Sequence, residues 1–285
     1  MVMSRLSGFV RLMRPLNCAM MGFAVIIGAA LASLKNMNAL CLNLVYGFIT
    51  GFTLTAASMA INDYCDRQID VVNEPNRPIP SGQVKPRNAL VFALVLTLLG
   101  FLSAYLTSLL CLLVSVIAWL IFTAYTTVGK RSGLPGNFLV SSCVAIPFVY
   151  GSVAVTDLVQ TNVLLFASMA FLSNTGREVT KGIVDVQGDR AQNVKTLAVR
   201  YGEKTAAVTA VVFYFCAVLL SLLPWFWGLV SFWFLPFVVV TDIGLVSSSA
   251  MLLKDYSRES ARRVKKTVLL WFLAGLLAFV AGAYG

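Results

Sequence analysis

From 88 to 129 the chain carries no charged side chain. As one straight helix rising 1.5 Å per residue, that stretch would measure about 63 Å, twice the roughly 30 Å hydrocarbon core of a bilayer. It has to fold back once, and the polar stretch Ser103–Ser108 is the natural turn. Other uncharged runs lie between Lys35 and Asp63, Arg131 and Asp157, Asp157 and Arg177, Lys204 and Asp242, and from Lys266 to the end. Pro224 and the aromatic WFWG that follows divide the run after Lys204, and such aromatics suit a membrane interface.

A span needs about 20 mainly apolar residues. The pattern predicts nine of them, near 15–34, 40–62, 88–106, 109–128, 138–156, 158–176, 205–223, 228–252 and 266–284. The expected fold is an all-α membrane protein, a bundle of nine transmembrane helices forming a single domain over 1–285. The basic N-terminus followed by an apolar stretch imitates a signal peptide, but further spans follow it, so it reads as the first helix. With Arg5, Arg11 and Arg14 in the cytoplasm, alternation puts every Lys and Arg except Lys35 on the cytoplasmic side. A miscount by one helix would scatter that distribution.

Hydrophobic side chains make up 59% of the chain and charged ones 12%, against about 25% charged in soluble domains. Mean hydropathy is +0.83, and a water-soluble domain could not hide that much apolar surface. The absence of histidine removes Ser-His-Asp triads, His-ligated zinc and His-bound haem. The cysteines (Cys18, Cys41, Cys65, Cys111, Cys143, Cys216) stand singly and read as small packing residues. Carboxylates, hard oxygen-binding metals, and Lys or Arg for anions remain. The net charge of +10 suits anionic lipid headgroups or a phosphorylated ligand and does not call for nucleic acid. No obligatory protein partner is implied.

Of the twelve acids, most fall in two windows at cytoplasmic ends of spans. The first holds Asn62, Asp63, Asp66, Asp70 and Glu74; the second runs from Arg177-Glu178 through Lys181 to Asp185 and Asp189. Asp63, Asp66 and Asp70 (i, i+3, i+7) share one face if the second helix continues, and Asp185 and Asp189 (i, i+4) do likewise. Stacked carboxylates repel one another unless a cation neutralises them. Oxygen ligands alone select Mg²⁺ ahead of Mn²⁺ or Ca²⁺, and Mg²⁺ takes one or two carboxylates with water and substrate phosphate completing its shell. Two facing clusters would therefore hold a diphosphate through bridging ions.

Arg67, Arg77, Lys130, Arg131, Arg177, Lys181 and Arg190 share that face. The positive-inside bias alone would place them there. Arg77, in a stiff proline-set loop, and Lys130, just off the fourth helix, stand out as anion contacts. Arg14, Arg177 and Lys181 flank the motifs without belonging to them. Asp242, the one acid inside an expected span, is either a structural polar contact or a substrate contact.

Asn62-Asp63-x-x-Asp66-x-x-x-Asp70 resembles the first aspartate motif of the UbiA superfamily of intramembrane prenyltransferases, and Asp185-x-x-x-Asp189 resembles its second. Tyr125 to Lys130 is similar to the family's Tyr/Lys signature with one extra residue, and Arg14-Pro15-x-Asn17 to its first-helix start. The resemblance implies two Mg²⁺ ions gripping a polyprenyl diphosphate. Asn62, Asp66, Asp185 and Asp189 would be ligands, Asp63 and Asp70 ligands or supports. Arg77 and Lys130 would hold the diphosphate, with Arg14, Asn17, Tyr125, Arg177 and Lys181 binding substrate. The stretch from Arg177 to Asp189 is similar to the archaeal digeranylgeranylglyceryl phosphate synthases of that superfamily. The loop from Asn73 to Gly82 also resembles chlorophyll synthases.

These likenesses imply Mg²⁺-dependent transfer of a geranylgeranyl group to a lipid-phosphate acceptor within the cell membrane, in ether-lipid synthesis. An aromatic or tetrapyrrole acceptor is the alternative. An ion-coupled transporter fits less well, because transporters place acids near the bilayer midplane.

Overall fold

The computed structural model describes residues 2–34, 36, 40–191 and 193–283, without the side chains of residues 2–5 and Asn73. Lys35, the expected outer charge, and the side chain of Arg5 lie outside the described residues. The described chain is helical: α1 (Val2–Met13), α2 (Pro15–Ala32), α3 (Cys41–Cys65), α4 (Arg67–Asn73), α5 (Pro86–Thr107), α6 (Leu109–Thr127), α7 (Leu134–Thr156), α8 (Thr161–Val184), α9 (Val186–Ala191), α10 (Leu197–Tyr201), α11 (Glu203–Ser221), α12 (Leu223–Phe226), α13 (Phe234–Lys254) and α14 (Arg258–Ala283). A 3₁₀ turn, Gly129–Arg131, follows α6.

Two boundaries fall where polar chemistry puts them. Ser108 ends the fold-back expected in the 88–129 run, and its side chain accepts from the Cys111 N–H to cap α6. Pro224 opens the short α12, where Trp225, Phe226 and Trp227 are exposed. Of the cysteines, all of them free, Cys18 and Cys111 are buried as expected, whereas Cys41, Cys65 and Cys216 are exposed.

Among the described residues, eight helices are long and apolar enough to cross a membrane. The helix at the sixth expected span, α8, is not one of them. It has 24 residues, about 36 Å at helical rise. Its second half, though, carries Arg177, Glu178 and Lys181, which lower its hydropathy. Leucines such as Leu94, Leu98, Leu102, Leu109, Leu113 and Leu120 on α5 and α6 face outward, an arrangement natural to a lipid-facing surface.

The long helices close a ring. In chain order α2, α3, α5, α6, α7, α8, α11, α13 and α14 each pack on the next, and α14 returns to α2. Close packing of α2 on α7 crosses the middle. It depends on missing side chains: a Cβ at Gly28 would sit 2.1 Å from the Phe148 carbonyl oxygen, and one at Gly151 2.0 Å from that of Val25. Small residues at such crossings let backbones approach within van der Waals contact.

Gly151→Ala should therefore force α2 and α7 apart, costing about 1–3 kcal/mol. Its thermal unfolding in detergent should begin well below that of the wild type. Gly275→Ala is the control, since its Cβ would meet nothing nearer than Thr241 at 3.5 Å. Equal melting of both variants would remove the close crossing as a stabilising contact.

Candidate active site

Both acidic windows fall at joints where a long helix gives way to a short one. α3 ends at Cys65 and α4 begins at Arg67, leaving Asp66 at the joint; α8 ends at Val184 and α9 begins at Val186, leaving Asp185 there. Helical bonding continues across each joint, since the Asp70 N–H donates to the Asp66 carbonyl at 2.8 Å and Asp189 to Asp185 at 3.0 Å. α4 packs against α9, so the two windows meet across one cavity. Asn62, Asp66, Asp70, Asp185 and Asp189 line it, with Arg14, Arg77, Tyr125, Lys130 and Lys181.

Some expected residues do not line that cavity. Asp63 is buried in α3. It accepts from Arg14 Nη2 at 2.5 Å and from Arg77 Nη1 at 3.3 Å. It thus orients two cations from behind. Asp63 and Asp70 nonetheless meet on one Arg77 nitrogen, at 3.3 and 2.5 Å, so the two stay on one side across the joint at Asp66. Asn17 is half-buried on α2 away from the cavity, and the Arg177 guanidinium turns to Glu178 at 3.0 Å. Asp242 accepts from Ser221 at 2.8 Å and also lines a separate, mostly apolar cavity between α2, α7, α8, α11, α13 and α14.

The two sides of the cavity differ in charge balance. On the first, Arg77 Nη1 bonds Asp70 at 2.5 Å, Lys130 pairs with Asp66, and the Asn62 amide donates to Asp66 at 3.0 Å. On the second, neither Asp185 nor Asp189 has an ion-pair partner among the described residues. Burial, then the Asp185 carboxylate, push Asp189 up to about 7. Burial likewise raises Asp70 to about 6, with Arg77 opposing it.

Backbone contacts hold the basic residues in place. Arg14 sits at φ 55, ψ 68, between α1 and the helix opened by Pro15, a left-handed conformation uncommon for a residue with a side chain. Lys130 follows Gly129, whose carbonyl oxygen would lie 2.0 Å from a Cβ on Gly136. The turn is thereby pressed onto the start of α7. Lys181 bonds Glu178 at 3.3 Å, and α8 is seated on α11 by Thr180 and the buried Tyr214, 3.2 Å apart.

The structure adds cavity residues that spacing did not flag: Asn137, Thr196 and Lys265. Only Lys265 had a readable signal. It lies on the helical stripe of Ala261, Val264 and Val268, all fully buried. A second, mostly apolar groove lies on the same three helices that carry Asn62, Tyr125 and Asn137. It is lined by Gly51, Leu54 and Ser58 of α3, Trp119 and Phe122 of α6, and Ile146 of α7.

The donors on the cavity are carboxylate and amide oxygens, with neither His nor Cys among its lining residues. Among the described residues, no three acids form a closed metal cage. This donor set fits Mg²⁺, which takes few protein carboxylates and leaves positions for water and phosphate.

Known proteins resemble this chain in sequence and fold. The profile of the UbiA prenyltransferase family matches residues 21–283. A digeranylgeranylglyceryl phosphate synthase of Archaeoglobus fulgidus is 37% identical over 270 residues, covering 93% of this chain and 91% of its own. A solved structure from a study of digeranylgeranylglyceryl phosphate synthase in membranes is 31% identical, with a TM-score of 0.75 and 98% of each chain covered. The structure of a UbiA homolog from Archaeoglobus fulgidus bound to DMAPP and Mg²⁺ has the same fold (TM-score 0.62, 16% identity, 95% of this chain and 99% of that one).

A raised Asp189 works against metal binding at acid pH, because a ligand must shed its proton first. The sign is set by the folded value lying above the usual 3.8. Folded protein holds this proton while unfolded chain has lost it, so metal-free stability falls as pH rises from about 4 to about 7. With Asp189 as a ligand, Mg²⁺ affinity would move the opposite way, weakening about tenfold per pH unit below 7 through this one proton. Mg²⁺ should raise the melting temperature more at pH 8 than at pH 6. An equal shift at both would show that Asp189 takes no part.

Proposed function

The chain belongs to the UbiA prenyltransferase family and is a prenyl-transferring enzyme; on that premise we propose that it moves a geranylgeranyl group from geranylgeranyl diphosphate to geranylgeranylglyceryl phosphate, making digeranylgeranylglyceryl phosphate for ether lipids. The observation that carries this reading is the meeting of the two acid windows and their cations over one cavity, with an apolar groove on the same helices. The reading also draws on the digeranylgeranylglyceryl phosphate synthases, similar over nearly the whole chain.

The whole chain acts as one domain of nine spans, with α8 as the sixth and its polar half at the cytoplasmic surface beside the N-terminus. Two Mg²⁺ ions fit this donor set, held by Asn62, Asp66 and Asp70 on one side and by Asp185 and Asp189 on the other. Bound Mg²⁺ offsets the negative charge that builds up on a departing diphosphate. Arg77 and Lys130 add cationic hydrogen bonds to the same group, each stronger than a neutral one. Asp63 keeps Arg14 and Arg77 aimed at the cavity.

The groove receives the prenyl tail and keeps water from its reactive end. The allylic C1–O bond breaks with its electron pair leaving on the diphosphate, and a glycerol hydroxyl oxygen of the acceptor bonds to C1 and loses its proton. The acids of the two windows lie at helix ends, and Asp242 alone among the twelve sits in the middle of a long apolar helix, which argues against ion-coupled transport.

Purified enzyme treated with EDTA should lose activity, and added Mg²⁺ should restore it. Full turnover in metal-free enzyme would overturn the reading of the two windows. Asp66→Asn and Asp185→Asn keep side-chain size but remove charge. Each should lower turnover about 100-fold or more, the scale at which a charge-stabilising contact acts in catalysis. Wild-type rates in either variant, with the same melting temperature, would make that window structural.

A further inference from the structure

We propose that Lys265, together with Lys181, forms a second anion subsite in the cavity, which takes the phosphate of the lipid acceptor; this rests on the phosphate-bearing acceptor proposed above. Position 265 belongs to the inward stripe of α14, between the fully buried Val264 and Val268. A lysine is an expensive choice there unless its ammonium meets an anion. Lys265 lines the cavity, yet it has no hydrogen bond or ion pair among the described residues.

The other cations on the cavity wall are engaged: Arg14 with Asp63, Arg77 with Asp70, Lys130 with Asp66 and Lys181 with Glu178. Charges of both signs act on Lys265: Asp185, the strongest, and Glu74 attract it, while Lys181 and Arg177 repel it. Gathering ammonium and guanidinium groups repels, and an anion between Lys265 and Lys181 relieves that repulsion.

Neutral donors stand on the same cavity. The Asn137 amide has no partner among the described residues, and the Thr196 hydroxyl, which accepts from the Val199 N–H, keeps its own hydrogen to give. A diphosphate held between the two acid windows leaves the metal-facing wall filled. A second phosphate has to find cations of its own, and Lys265 is a cation not already spent on a carboxylate. Arg177, which flanks the second window in sequence, instead turns to Glu178.

The test uses the full-length enzyme in nanodiscs with Mg²⁺, geranylgeranyl diphosphate and geranylgeranylglyceryl phosphate. In Lys265→Met the KM for the phosphate acceptor should rise about tenfold or more. The KM for geranylgeranyl diphosphate should stay within about twofold. Lys265→Arg should restore most of the acceptor affinity. Geranylgeranylglycerol, which lacks the phosphate, should be used equally poorly by the wild type and by Lys265→Met.

An unchanged acceptor KM in Lys265→Met overturns the subsite and leaves the proposed reaction standing. An equal rise for both substrates that Lys265→Arg does not correct also overturns it. A wild-type enzyme that prenylates only phosphate-free acceptors overturns the proposed acceptor and the subsite with it.

Discussion

Three buried carboxylates within eight residues, Asp63, Asp66 and Asp70, organise the charged end of this bundle. Each is met by a cation from a different part of the chain: Arg14 from the α1–α2 junction, Arg77 from the proline loop, Lys130 from the turn after α6. A buried carboxylate left without its partner costs about 3–5 kcal/mol. The pairs therefore tie three segments with little else in common to one end of α3. The left-handed Arg14 illustrates the strength of this tie. Such backbone strain is of order 1–3 kcal/mol, and it persists where the Asp63 pair and the following Pro15 both require it.

The second window is built on the opposite principle. Asp185 and Asp189 share one wall with no paired cation among the described residues, and Lys181 nearby is already committed to Glu178. The carboxylates Asp66 and Asp70 of one wall are thus paired within the structure, and Asp185 and Asp189 of the other are not. The carboxylates free of ion pairs stand on the second wall, and the first carries the cationic donors Arg77 and Lys130.

The long helices were legible because an uncharged run in lipid has no alternative to helix. Ser108 and Pro224 were legible as turns for the same reason, since each marks where backbone groups can change partner. The sixth span was harder: Arg177, Glu178 and Lys181 extend a helix whose apolar half alone is short. Spacing located the acids but not the joints at Asp66 and Asp185, because helical periodicity runs through a joint that keeps its i to i−4 bonds. Nor did it separate Asp63, which turns to Arg14, from Asp66, which faces the cavity. Those orientations depend on which helix lies opposite, and the ring order is a tertiary fact. Lys265 sat on a readable stripe, yet the charge density of α14's first turns disguised it as one more solvated lysine.

The apolar groove on the helices that carry the charged cavity is lined by half-buried side chains of α3, α6 and α7, among them Leu54, Trp119, Phe122 and Ile146. A chain lying in it has its polar head at one membrane surface and its tail beside the lipid. Amphiphiles that meet there arrive by lateral diffusion and leave the same way, so chemistry at this site is effectively two-dimensional. Occupancy then follows the mole fraction of a lipid in its leaflet, not its molarity in water. Diluting the bilayer with inert lipid should slow such an enzyme even when every reagent in the tube is kept constant.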